Sequence, residues 1–335
     1  MGTFWLDRNV FVTGATGMIG SFLVRELLER GSNVTVLIQD LDMRSDLCRT
    51  GDIEKVAVVN GSLEDFSAPE RAINRYEVNT VIHLGAQTIV GVAHKFPLAT
   101  FESNIRGTYN LLEACRVHSD SDIGVVIASS DKAYGEQPTL PYTEDMPLSG
   151  RHPYEVSKSC ADMLGQSYHH AYGLPVAIAR CGNVYGGNDL NFSRIIPGTI
   201  RSLLRGESPV IRSDGTYVRD YVYVKDVVDA YLLLAESLDG EDVAGEAFNF
   251  STEKPLTVFE IVETIKRLMK LEHLEPLVLS NTEGEIKSQY LDAGKAKRVL
   301  GWHPRYDLER GLRETVTWYE RHFKTIERQG HDGED

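Results

Sequence analysis

The chain has 335 residues, of which 42% are apolar and 25% charged, so it is long enough for one large domain or two modest ones. Its formal charge of −14 sets it against tracking along nucleic acid, although a few local Arg and Lys can still hold a small anion. No apolar run approaches the ~20 residues needed to cross a bilayer, and residues 1–15 lack the zones of a signal peptide. Cys48, Cys115, Cys160 and Cys181 are scattered, without CxxC pairs or short spacings to histidine, which excludes a zinc or disulfide framework and points to no metal. Together these features describe a soluble, cytoplasmic, acidic protein.

Taken in chain order, residues 9–13 read as a buried strand, followed by a glycine-rich turn and a helix over 18–30. Strand-like runs recur at 34–38, 55–59, 80–84 and 124–128, with a helix expected over 101–118. Another helix is expected from 154 to 172, then a strand at 175–179. Strands apolar on both faces and alternating with helices indicate a parallel sheet covered on each side, a Rossmann-type α/β fold. Beyond Arg180 the texture changes, and a late strand at 247–250 is expected to return to the main sheet. Helices are expected at 258–270 and 308–321. The reading assigns residues 1–183 to a dinucleotide-binding domain, with a return segment near 223–251. Residues 184–222 and 252–323 form a smaller α/β substrate domain, and 324–335 a disordered tail.

Gly14, Gly17 and Gly20 lie in Thr13-Gly14-Ala15-Thr16-Gly17-Met18-Ile19-Gly20, between a strand and a helix. Glycine permits the tight turn and close backbone approach of a pyrophosphate, while the helix N-terminus offers amide donors. Thr16, Met18 and Ile19 fall inside the same turn. At the end of the second strand the position expected for a ribose-binding carboxylate is Ile38. Asp40 or Asp42 could reach the ribose diol of NAD instead, or Arg44 the 2′-phosphate of NADP.

Tyr154 and Lys158 stand four apart at the start of a helix, on one face. A nearby cation favours the phenolate, which suits Tyr154 as a base near neutral pH. Combined with the glycine turn and Ser130 beyond a strand end, this set resembles the extended, nucleotide-sugar-modifying branch of the short-chain dehydrogenase/reductases, over about residues 9–312. Within that branch, Ser130-Asp131-Lys132 resembles the motif of the dehydratases acting on CDP-glucose, where other 4,6-dehydratases carry Asp-Glu. The segments 100–104, 181–187 and 300–302 resemble the same group.

The resemblance implies a nucleotide-sugar 4,6-dehydratase that makes a 4-keto-6-deoxy sugar by internal hydride transfer through NAD, with NADP not excluded. Tyr154 would be the base at C4 and Ser130 the donor to the C4 oxygen. Asp131 would be the acid for the C6 hydroxyl. Lys132 is either the C5 base, which requires it neutral, or a support for Asp131, with Glu136, Tyr134 or water taking the proton. The resemblance also assigns Ser62, Leu63, Leu84, Ala86 and Asn104, with Tyr154 and Lys158, to the cofactor. It assigns Gln87, Asn183, Arg194, Ile211, Arg219 and Lys287 to the substrate, a nucleotide diphosphate sugar. A 4-epimerase sharing Ser130, Tyr154 and Lys158 is the enzymatic alternative, and a non-catalytic NAD(P)-binding protein the other. Helices 101–118 and 154–172 resemble the pair that forms a homodimer interface in this superfamily. His83, His169 and His170 lack ligand spacing and are read as core or surface residues.

Overall fold

The computed structural model describes residues 3–118, 123–240, 242–281 and 284–331, with side chains described up to residue 325. The first six strands are β1 (Asn9–Thr13), β2 (Asn33–Ile38), β3 (Ala57–Asn60), β4 (Thr80–His83), β5 (Gly124–Ala128) and β6 (Val176–Cys181). They are followed by β7 (Asn183–Tyr185), β8 (Val210–Ile211), β9 (Val218–Tyr223), β10 (Ala247–Phe250), β11 (Pro255–Thr257), β12 (Leu277–Val278) and β13 (Ser288–Gln289). The main sheet is parallel throughout, in the order β10-β6-β5-β4-β1-β2-β3, so the late strand does return to it, at the edge beside β6.

Strand periodicity explains how the sheet is covered. In β1, Val10 and Val12 face one apolar core and Phe11 faces the other. The helices Met18–Glu29 and Val224–Glu236 close the first face through Leu23, Val24, Leu27, Val227 and Tyr231. The helices Ser67–Arg75, Gly107–Val117 and Pro153–Tyr172 lie on the other, where Ala72, Ile73, Leu111 and Leu112 are buried. Each such fully buried large side chain contributes ~1.5–3 kcal/mol of transfer free energy. A separate core forms in the C-terminal half from Ile196, Ile200, Ile261, Ile265 and Leu312, between the helices Ile195–Leu204, Val258–Met269 and Leu308–His331. There β11, β9 and β13 form a small mixed sheet to which β7 adds, while β8 pairs with β12.

Two expectations are corrected here. The helix expected over 101–118 is broken: Pro97–Phe101 and Gly107–Val117 are α-helical, and Glu102–Arg106 between them is a π-turn. The π-turn carries buried Asn104, whose side chain accepts from the Gln87 amide (2.7 Å) and donates to the Gln87 carbonyl (3.0 Å). It also donates to the Ser157 hydroxyl (2.9 Å), so one side chain in the π-turn makes three hydrogen bonds to two residues. Residues 324–331, read as tail, continue the helix Leu308–His331, and 332–335 lie outside the described residues. Among the described residues no helix is long and apolar enough to cross a membrane.

Candidate active site

A cavity of about 1150 Å³ opens over the carboxyl ends of the main strands, where the order reverses between β1 and β4. Open parallel sheets bind ligands at that switch point. Its floor on one side is the glycine turn. Gly14 adopts φ +72°, and a Cβ there would sit 2.8 Å from the backbone of Leu84 and Gly85. At Gly20 a Cβ would lie 2.1 Å from the Gly14 carbonyl, so the helix could not pack on the turn. Gly17 is the N-cap of Met18–Glu29 and brings no side chain to it, leaving the first-turn backbone open to the cavity. Thr16, Met18, Ile19, Leu84 and Ala86 complete this wall.

The opposite wall begins where β5 ends. Ser130 caps a 3₁₀ turn, Asp131–Tyr134, its Oγ accepting from the Lys132 amide at 3.2 Å. Gly135 closes the turn at φ +63°. Beneath it, the Tyr134 hydroxyl donates to Asn249 (2.8 Å) and accepts from Arg180 (2.8 Å). Arg180 in turn forms a buried bidentate pair with Asp162, at 2.8 and 2.9 Å. Ser159 donates to the Ala133 carbonyl at 2.9 Å. The turn is thus fastened to the helix Pro153–Tyr172 and to β6 and β10.

Ser130, Asp131, Lys132, Tyr154 and Lys158 all line the cavity. Ser130 Oγ donates to Asp131 Oδ1 at 3.0 Å and hydrogen-bonds Tyr154. Lys132 Nζ donates to Asp131 Oδ2 at 3.2 Å and to Gln289 Oε1, whose own Nε2 donates to the Asp131 carbonyl at 2.8 Å. Burial pushes the Lys132 ammonium down, helped by the Arg219 charge and opposed chiefly by Asp131. Burial also brings Lys158 down to about 8. Its Nζ donates to the Ala128 carbonyl at 2.7 Å.

The expected lowering of the Tyr154 phenol is not what the protein alone produces. Burial pushes it up to about 12, against the downward pull of the Ser130 hydrogen bond and the Arg194 charge. Desolvation of the phenolate outweighs the neighbouring cations.

The remaining sequence-predicted residues divide. Asn183, Arg194 and Arg219 line the cavity. Arg194 pairs with Asp189 at 3.0 Å, and Arg219 with Glu285 at 3.1 Å while also donating to the Ile286 carbonyl at 2.5 Å. Ile211 and Lys287 are not in the lining. Ile211 is fully buried in the C-terminal core, and strand alternation turns its neighbours Val210 and Arg212 to the cavity instead. Lys287 is exposed, and its carbonyl serves Arg219. Gln87, Ser62, Leu63 and Asn104 also lie outside the lining: Gln87 and Asn104 hold each other, and Leu63 packs beneath Gly85 and Gly107. Asp40 and Arg44 are exposed outside it, with Arg44 bonded to Asp42 at 3.0 and 3.1 Å. His83 is a core residue bridging the hydroxyls of Thr13 (2.8 Å) and Thr108 (3.0 Å). Sequence reasoning missed Gln289, Glu285 and Asp189, none of which lies in a spacing pattern that would single it out.

A parallel dinucleotide-type sheet with a glycine turn on one wall and a Ser, Tyr, Lys set on the other defines an extended short-chain dehydrogenase/reductase. The chain belongs to the GDP-mannose 4,6 dehydratase family, whose model matches residues 11–315. It is 33% identical to a putative UDP-glucose 4-epimerase of Methanocaldococcus jannaschii, over 94% of this chain and all of that one. It is 30% identical to the CDP-glucose 4,6-dehydratase of Salmonella typhimurium, over 94% of this chain and 91% of that one. Its fold is similar to a dTDP-glucose 4,6-dehydratase of Bacillus anthracis solved in complex with NAD. That match has TM-score 0.82 at 28% identity, over 94% of this chain and 97% of the other.

Proposed function

We propose that the chain is a nucleotide-sugar 4,6-dehydratase, converting an NDP-hexose to its 4-keto-6-deoxy product with bound NAD. The observation that carries this reading is that Asp131 and Lys132 share one cavity-facing turn with Ser130, where a 4-epimerase needs neither an acid nor a second base. The residues fit NAD: a turn that excludes any Cβ at Gly14, beside an uncapped helix N-terminus, suits a pyrophosphate. The loop after β2 carries Asp40 and Asp42, and its Arg44 is spent on Asp42, so a 2′-phosphate would meet carboxylates there.

NAD held on the glycine turn and the N-terminus of Met18–Glu29 would supply the acceptor for the C4 hydride and its donor to C6. Tyr154 takes the C4 hydroxyl proton, its phenolate favoured by any added positive charge in the cavity. Ser130 donates to the C4 oxygen as it becomes a carbonyl. The C4 ketone makes the C5 hydrogen acidic. Lys132, as the neutral amine, removes that proton while Asp131, as the neutral acid, protonates the departing C6 hydroxyl, and water leaves. Relative to the Asp131–Lys132 ion pair, the neutral acid and amine have one proton moved to Asp131 Oδ1, which then donates to Ser130 Oγ, while Oδ2 still accepts from Lys132 Nζ at 3.2 Å. Lys132 then returns its proton to C5. The proton gathered at C4 equals the one spent at C6, and Ser130 bonds to both Tyr154 and Asp131.

The 33% identity to a putative 4-epimerase supports the second reading, C4 inversion. Purified protein incubated with a panel of nucleotide hexoses separates the two: loss of one water selects the dehydratase, and retained mass with C4 inversion the epimerase.

A further inference from the structure

Gln289 occupies a place that the proposed chemistry leaves unexplained. It is fully buried on β13, directly across from Arg219 of β9, and 157 positions from the lysine it touches. Its side-chain amide can sit only one way round. The Asp131 carbonyl accepts only, so Nε2 must face it at 2.8 Å, and Oε1 is thereby turned to Lys132 Nζ.

An amide oxygen accepts and never donates, so Lys132 must give it an N–H in either protonation state. Asp131 Oδ2 takes a second position on the same nitrogen. With Cε these two partners fill three corners of a tetrahedron. The fourth corner is left for the cavity that Lys132 lines. In the neutral amine both hydrogens are committed to Gln289 and Asp131, and the fourth corner is the lone pair.

We propose that Gln289 is the positioning residue that aims the Lys132 lone pair into the cavity, which assigns the C5 proton to Lys132 and not to Glu136, Tyr134 or water. The assignment of that step rests on the dehydratase reading; the aiming of Lys132 does not. The charged groups acting on Lys132 are Asp131 and Glu285, which favour its ammonium, and Arg219, which disfavours it. Gln289 adds to these a fixed dipole with its negative end on Nζ.

Two near-isosteric substitutions test this with opposite signs. Gln289→Met removes the acceptor, so the ammonium loses a partner and Lys132 should deprotonate at lower pH. Gln289→Glu sets a carboxylate against Nζ and should move deprotonation to higher pH, each by about one pH unit. The readout is competitive acetylation of Lys132 by acetic anhydride across pH, followed on its peptide by mass spectrometry. Turnover supplies a second readout: Gln289→Met should lower kcat about tenfold with KM within about twofold, as expected for a misdirected base. The acid limb of the kcat profile should move up in Gln289→Glu. Gln289→Leu replaces Met if that variant does not fold. Identical labelling midpoints in wild type and both variants would overturn the proposal. Shifted midpoints in a protein that removes no water from any nucleotide hexose would leave Gln289 positioning Lys132 and remove the dehydratase reading instead.

Discussion

At the scale of single residues, the proposed chemistry separates into steps that different side chains control. Tyr154→Phe deletes the proton acceptor at C4 while keeping the buried ring, so NAD should still bind in calorimetry. Turnover should fall by roughly two to four orders of magnitude, the range of a positioned base. Asp131→Asn keeps the shape of the acid but offers no carboxylic proton. Hydride should still leave C4 in a single turnover, giving lasting near-ultraviolet absorbance of reduced cofactor. Loss of water should slow by about two orders of magnitude or more. Full dehydration by this variant would move the acid elsewhere. The five residues of this set were legible in the sequence because each belongs to a local pattern: i to i+4 spacing, or a tripeptide after a strand. Ile211 and Lys287 lie outside the lining, Ile211 turned into the core and Lys287 to solvent, while their neighbours Val210, Arg212 and Ile286 face the cavity. Gln289 was invisible, since only pairing of β13 with β9 brings it to Lys132.

At the scale of elements, the end of β4 is stapled to β1 and to the helix Gly107–Val117 by His83, which bonds Thr13 and Thr108. Burial, with the Lys158 charge behind it, lowers the imidazole to about 3. The unfolded chain therefore takes up this proton near its ordinary value of about 6.5, while the folded chain refuses it until about pH 3. Its contribution is complete above that ordinary value and is lost as pH falls through the window between the two. The slope is about 1.4 kcal/mol per pH unit. His83→Gln, which can still bond both threonines, should remove this slope, so urea midpoints of variant and wild type should converge as the solution is acidified through the window. A parallel acid dependence in both proteins would show that another group dominates. The strands and the cofactor turn were readable because apolar runs and glycine spacing act locally. The π-turn at Glu102–Arg106 was not, because Asn104 is drawn inward by Gln87 and Ser157, both remote in sequence.

At the scale of the whole molecule, one side of the main sheet carries helices that leave large apolar side chains in solvent. Leu98 is 72% exposed, Met163 54% and Tyr172 60%, with Phe96 and Val117 nearby on the same group of helices. Large apolar side chains exposed on one group of helices suit an interface. The expected occupant is a second copy, meeting through the helices Gly107–Val117 and Pro153–Tyr172 in a four-helix arrangement. Light scattering should give a dimer mass for the wild type. Leu98→Asp combined with Met163→Lys should shift it to monomer without changing the far-ultraviolet circular dichroism. A wild-type mass that stays monomeric at every concentration would remove this assembly.

The late arrival of Gln289 also has a consequence for the chain while it is being made. Every strand of the main sheet has left the ribosome by Phe250, and the glycine turn and Ser130, Asp131, Tyr154 and Lys158 are already in hand. A growing polypeptide at that stage has the parts to hold a dinucleotide, yet Lys132 still lacks the strand that aims it and Arg219 the loop that meets it. Cofactor capture can thus begin during synthesis, whereas the proposed elimination must wait for the last fifth of the translation product.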